Sequence, residues 1–159
     1  MVGGEATQRE VEASQALDFV HFWRRALELQ NERAPSHLGD AEMAEIEIRF
    51  FLEALRQWYR ALTWYAKHDG LAQSLASKFI ASWGQVVTMR NALEHFDRFT
   101  LGTSHAHASG QVEGKSTWFS QSGRTIIVSV GDLDGLDLLA VCEAVCKATD
   151  HLPMARPLT

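Results

Sequence analysis

Apolar residues recur along this chain at helical spacing in several blocks, separated by short breaks. In the first block Val11, Leu17, Val20, Trp23 and Leu27 fall on one side of a 3.6-residue period. Thr7-Gln8-Arg9-Glu10 ahead of them has the Ser/Thr-x-x-Glu form of a capping box, and Pro35 closes the block, so a helix is predicted over about 7–33. Asp40 suits the N-cap of a second helix, with Glu42 and Glu45 favoured at its positive end. Met43, Ile46, Phe50, Leu55, Trp58, Leu62 and Tyr65 supply its apolar side, and Phe51 and Tyr59 widen it. Gly70 reads as a C′ glycine, which puts this helix over about 40–69. A third helix, over about 71–98, carries Leu75, Phe79, Trp83, Val86 and Leu93 as its buried stripe. So short a connection at Gly70 implies an antiparallel pair.

The pattern then changes. Residues 102–110 are small and polar. Ser116–Gln121 and Arg124–Val130 read as two strands joined at Ser122-Gly123, with Ile126, Val128 and Val130 alternating as in a half-buried strand. Gly131 to Asp134 reads as a turn and cap. A last helix over about 134–152 places Leu136, Leu139, Cys142, Val145 and Cys146 inward and closes before Pro153; residues 153–159 read as a loose tail. The predicted fold is mainly α: one domain over 1–159, a four-helix up-and-down bundle with a β-hairpin (about 115–131) inserted between the third and fourth helices. A hairpin alone is marginal in water, so this one is expected to pack on the bundle or on another subunit.

Composition narrows the function classes. The chain has 159 residues, 46% hydrophobic and 22% charged, which is globular and not disordered. A net charge of −5 argues against non-specific coating of nucleic acid, which runs on many Lys and Arg, but leaves room for a local cationic pocket. Eleven of the fifteen basic residues are Arg, the better bidentate phosphate ligand. Cys142 and Cys146, four apart, read as small apolar residues on a buried face and give no disulfide framework. Met1 is not followed by a basic and then an apolar region, and no apolar run is long enough to span a bilayer. A cytoplasmic protein without a membrane partner is therefore expected.

Chemistry concentrates in Arg90-Asn91-Ala92-Leu93-Glu94-His95. A permanent cation, an amide and an imidazole that titrates near neutrality stand within a turn and a half. At about 100° per residue, with Phe79 at zero, Trp83 falls near 40°, Val86 near −20° and Arg90 near 20°, inside the apolar stripe. A charge there needs a partner or an opening. Asn91 and His95 share a face roughly 100° round from Arg90, so in a straight helix the Arg and His do not meet neatly. Either the helix loosens near His95 or a second copy completes the site.

This stretch resembles the HEPN family (higher eukaryotes and prokaryotes nucleotide-binding domains). That family's signature is an Arg, a polar residue directly after it, and a His after four to six intervening residues, on a small helical bundle. Arg90, Asn91 and His95 match it. The hairpin is not part of the minimal family pattern. Arg98 and His105 repeat the spacing, but Phe99 follows the Arg and Gly102 interrupts the segment, so Arg90/His95 is preferred. The resemblance implies a metal-independent endoribonuclease without cofactors, acting as a homodimer on RNA. In the family such proteins are often toxins of toxin–antitoxin or defence systems, which implies a neutralising antitoxin partner. Carried over, Arg90 holds the scissile phosphate, Asn91 orients the His or the phosphate, and His95 is the general base or acid. Glu94 supports the site, most simply by pairing with Arg90.

A second reading is a non-catalytic interaction or assembly module, in which Arg90 forms an ion pair and His95 is a C-terminal helix cation. Other chemistries find less support. His105-x-His107 has ligand spacing but no Cys or carboxylate beside it. Asp18-Phe-Val-His21 is a single instance of an acid-x-x-His pattern and reads as a polar edge of the first helix. Phe50, Phe51, Trp58, Tyr59, Trp64 and Tyr65 read as core or subunit packing, and Glu42, Glu45 and Glu47 as a solvated first turn.

Overall fold

A computed structural model of the chain describes residues 7–37, 39–87, 117–122, 125–130 and 135–154. These are mainly helical. Helix α1 spans Gln8–Arg33, α2 Ala41–Tyr65, α3 Gly70–Trp83 and α4 Leu138–Asp150; a 3-10 turn, Ala34–His37, joins the first two. Strands β1 (Thr117–Ser122), β2 (Thr125–Val130) and β3 (Leu136–Asp137) form one sheet in the order β1-β2-β3, antiparallel throughout.

Local chemistry sets the helix starts. Thr7 Oγ1 accepts from the Glu10 backbone N–H, and Glu10 Oε2 accepts from the Thr7 N–H at 2.8 Å, closing the box at α1. Asp40 accepts from the N–H groups of Glu42 and Met43 at α2. At α3, however, the cap is Asp69, whose carboxylate accepts from Ala72 N–H at 2.8 Å. Gly70 is therefore the first residue of α3, not the C′ residue of α2. The second helix stops at Tyr65, and residues 66–68 turn on backbone bonds from Ala66, Lys67 and His68 to Leu62, Trp64 and Tyr65. The last helix likewise starts later than its apolar pattern predicts. Asp137 caps it through Ala140 N–H, while Leu136 and Asp137 pair with Val128 and Ile127 as strand β3. The turns read at Ser122-Gly123 and at Gly131 to Asp134 fall, in whole or in part, outside the described residues.

Helix α1 packs on α2 and α4, α2 also on α3, and α4 on β2. Arg33 meets Glu47 at one end of the α1/α2 pair and Phe19 meets Trp64 at the other, so these two helices run antiparallel. Trp58, Phe51, Leu27, Leu52, Leu55 and Leu62 fill the centre, joined by Val141 and Val145 from α4 and by Ile126, Val128 and Leu136 from the sheet. Trp58 sits edge-on to Phe79 with ring centroids 4.9 Å apart, and its Nε1–H donates to Thr149 Oγ1 at 3.1 Å.

The inward side of α2 is the predicted one at Leu55, Trp58, Leu62 and Tyr65, but in the first half of the helix it is rotated. Phe51 is fully buried, whereas its neighbour Phe50 is 58% exposed, and Met43 and Ile46 are exposed with it. Val11 in α1 is exposed as well. Conversely, Glu47 is not part of a solvated turn: it is 1% exposed. Its Oε1 accepts from Arg33 Nη2 at 2.8 Å. His37 Nδ1 lies 3.0 Å from the same oxygen, off the line a hydrogen bond requires. Among the described residues Glu47 Oε2 has no hydrogen-bond partner.

Candidate functional site

Arg90, Asn91, Glu94 and His95 lie outside the described residues, as do Arg98, His105 and His107. What is described is the approach to them. Helix α3 does not run on unbroken from Leu71: it ends at Trp83, Gly84 is a turn residue, and residues 85–87 are helical again. A Cβ at Gly84 would stand 2.9 Å from the carbonyl oxygen of Ile80, so the break is built around the missing side chain. The backbone at Gly84 stays right-handed α, with φ −58° and ψ −26°, and Val87 N–H bonds Gly84 O at 3.2 Å, so the ladder tightens there. The placement of Arg90 in line with Phe79 falls on residues outside those described.

Between α2 and the α3 segment lies a cavity of about 260 Å³. Tyr59, Phe79, Trp83, Val86 and Val87 wall it, and Arg56 and Arg60 stand on its α2 side. Tyr59 and Phe79 lie with centroids 6.0 Å apart and planes tilted by 30°. On the opposite flank of α2, a groove of about 430 Å³ runs against α1, lined by Phe19, Trp23, Gln57, Arg60, Ala61 and Trp64. A third depression, about 340 Å³, continues along α2 and α3 past Tyr59, Thr63, Lys67, Gln73 and Ser77. Arg60 belongs to the first two and Tyr59 to the first and third. Reading the aromatic residues as core holds for Phe51, Trp58 and Tyr65, which are buried; Tyr59 and Trp64 are half-buried and line these grooves. The signal that finds this surface is the spacing of Arg56, Arg60, Thr63 and Lys67, which fall on one side of a helix.

The remaining reactive groups are quiet. Arg24 Nη1 donates to Asp150 Oδ1 at 2.6 Å, and its Nε is 3.6 Å from Glu28 Oε1. Burial opposes the Arg24 charge, but the Cys146 sulfur, Asp150 and Glu28 outweigh it, and the guanidinium is held above its ordinary value. Burial, with help from Cys146 and Glu28, pushes the Cys142 thiol up to about 12. Burial and then Glu28 push Cys146 up too, against the opposing pull of Arg24. Neither sulfur is a thiolate near neutrality, and neither is poised as a nucleophile. His21 Nε2 donates to Pro153 O at 2.8 Å, so it ties the turn after α4 to α1. Among the described residues, no group of three or more His, Cys, Asp or Glu converges as metal ligands would, and no helix is long and apolar enough to cross a membrane.

Comparison with known proteins gives no match to a family model, to a curated protein or to a solved structure.

Proposed function

We propose that this chain is an HEPN-like, metal-independent endoribonuclease. Its helices form a four-helix up-and-down bundle with the strands inserted before the last helix, and it acts as a homodimer. The observation that carries the reading is Arg90-Asn91-x3-His95, the family's Arg–polar–His arrangement. The mainly helical fold supports it, as does the arginine-edged cavity between α2 and α3.

In the reaction so assigned, His95 removes the proton from a ribose 2′-hydroxyl, and the 2′-oxygen attacks the adjacent phosphorus. The bond from phosphorus to the 5′-oxygen breaks, and that oxygen takes up the proton that the His95 imidazolium returns. The products are a 2′,3′-cyclic phosphate and a 5′-hydroxyl. Arg90 offsets the charge on the phosphoryl oxygens, Asn91 orients the imidazole or the phosphate, and Glu94 pairs with Arg90. An antitoxin protein that covers the site is the partner this reading implies.

The test is cleavage of varied RNAs in EDTA by the wild type and by His95→Ala. Cleavage by the wild type alone, leaving cyclic phosphate ends, is the expected result. Equal cleavage by both proteins, or none by either, removes the proposal.

A second reading, a non-catalytic assembly module, draws on exposed apolar residues: Phe22 is 60% and Phe50 58% exposed. Induction in cells separates the two. A nuclease toxin arrests growth in a His95-dependent way, whereas an assembly module leaves wild type and His95→Ala cultures growing alike.

A further inference from the structure

The outer face of α2 combines three features that point to one ligand chemistry. The first is a row of cations. Taking Arg56 as zero, Arg60 falls near 40° and Thr63 near −20° at about 100° per residue, with Lys67 following in the turn beyond Tyr65. From Arg56 to Lys67 the row is about 16 Å long at about 1.5 Å per residue. Among the described residues Arg60 has no carboxylate partner, and Arg56 has only Glu53, 3.5 Å away. Glu53 is itself engaged by Gln57 at 2.6 Å.

The second feature is that π-faces flank this row on both sides. Tyr59 turns toward Phe79 and Trp83 on the α3 side, and Trp64 turns toward Phe19 and Trp23 on the α1 side. The Trp64 and Phe19 rings are 6.3 Å apart, tilted and not in tight stacking, and the groove beside them is open.

The third feature is charge. The chain carries −5 overall, yet among the described residues none of the three depressions is lined by an Asp or Glu. An acidic protein whose grooves carry Arg, Arg and Lys but no acidic lining, with Glu53 at the edge beside Arg56, presents those grooves to an anion. Aromatic grooves beside the cations suit an anion whose charge alternates with flat apolar rings, which is the make-up of a single-stranded nucleic acid.

We propose that the α2 face from Arg56 to Lys67 is a track for single-stranded RNA. Arg56, Arg60 and Lys67 contact successive phosphates, and Trp64 and Tyr59 receive bases on either side. The track rests on the ribonuclease reading and extends it: that reading makes RNA the substrate, and the track is the surface that holds it as a single strand.

The experiment is fluorescence anisotropy of a 5′-labelled single-stranded RNA decamer with the full chain in EDTA. It is run in the His95→Ala background to keep the RNA intact, and at several salt concentrations. The double variant Arg56→Ala/Arg60→Ala is expected to bind at least about tenfold more weakly, and the slope of log affinity against log salt to fall by about 1.4, the loss of two phosphate contacts. Arg60→Lys retains most of the affinity. Trp64→Ala weakens binding by about tenfold, whereas an abasic decamer binds weakly to begin with and ignores Trp64→Ala. Circular dichroism and thermal melting check each fold, and Trp64→Phe, which keeps an aromatic ring, serves if Trp64→Ala does not fold. Affinity within twofold of wild type for the arginine double variant, equal binding of abasic and normal RNA, or no binding by the unsubstituted face overturns the track.

The two proposals fail separately. Arg60-dependent binding without cleavage by the wild type removes the nuclease and leaves the track. His95-dependent cleavage with Arg60-independent binding does the reverse.

Discussion

Trp58 on α2 and Thr149 on α4 are joined by a buried hydrogen bond, indole Nε1–H to Oγ1 at 3.1 Å, and the Thr149 hydroxyl in turn donates to Val145 O at 2.8 Å. The largest side chain of the core is thus held at one angle by a polar partner from the last helix. Thr149→Val keeps the shape and strands the indole donor, so it is expected to cost about 1–3 kcal/mol. Trp58→Phe, which removes the donor but leaves a gap, costs on its own account. Together the two changes are expected to cost less than their sum. Urea unfolding of the two single variants and the double variant measures that coupling.

Glu47 and Arg33 are expected to respond unequally. The carboxylate is 1% exposed, while the Arg33 side chain is largely in water. Arg33→Ala leaves a buried charge with only His37 facing it, and is expected to destabilise the fold by about 3 kcal/mol. Glu47→Gln releases an arginine that water can solvate, and is expected to cost about 1 kcal/mol. Equal losses in denaturant unfolding would mean that burial of the carboxylate is not what the pair offsets.

The two thiols give a chemical and a pH test. With Cys142 pushed up to about 12 and Cys146 also raised, neither is expected to react with iodoacetamide at pH 8 in the folded protein, and both react in denaturant. The sign for stability follows. An acid whose value is raised on folding keeps its proton in the native state when the unfolded chain has already lost it. Stability is therefore whole below about pH 9 and falls as pH climbs toward 12, by at most about 1.4 kcal/mol per pH unit for each such group. Tyr65, raised by burial and by Asp69, adds to the same alkaline loss. Cys142→Ala is expected to flatten the curve in this range.

Gly84→Ala tests the break after α3. Alanine normally favours a helix by about 1 kcal/mol over glycine. Here its Cβ meets the backbone oxygen of Ile80 at 2.9 Å, an atom that does not yield cheaply. Destabilisation by about 1 kcal/mol is expected in place of the usual gain, read from the thermal midpoint.

How far the fold can be read from sequence follows how local each signal is. The starts of α1 and α2 were legible because Thr7 with Glu10, and Asp40, bond to N–H groups within three residues. The join between α2 and α3 is ambiguous in sequence because Gly70 suits the end of one helix as well as the start of the next; Asp69, which precedes the glycine and caps α3, decides it. Adjacent aromatics hid the inward side of α2. Phe50 and Phe51 differ by about 100°, and packing against α1 selects Phe51. Glu47 was opaque for a related reason, since its partners Arg33 and His37 lie across a turn that pattern alone does not fold. In the candidate site, the spacing of Arg56, Arg60 and Lys67 is plain in the sequence, but the aromatic grooves on its flanks exist only once α1 and α3 are docked.

Asp137 belongs to two structures at once. Its backbone pairs with Ile127 in the sheet, and its carboxylate caps α4. The strands are thereby stitched to the helix that supplies Thr149 to the centre. Trimming away residues 117–130 as an ornament would unpick that seam, bare Leu136, and loosen the far wall of the core. The β-segment and the bundle should melt as one cooperative unit.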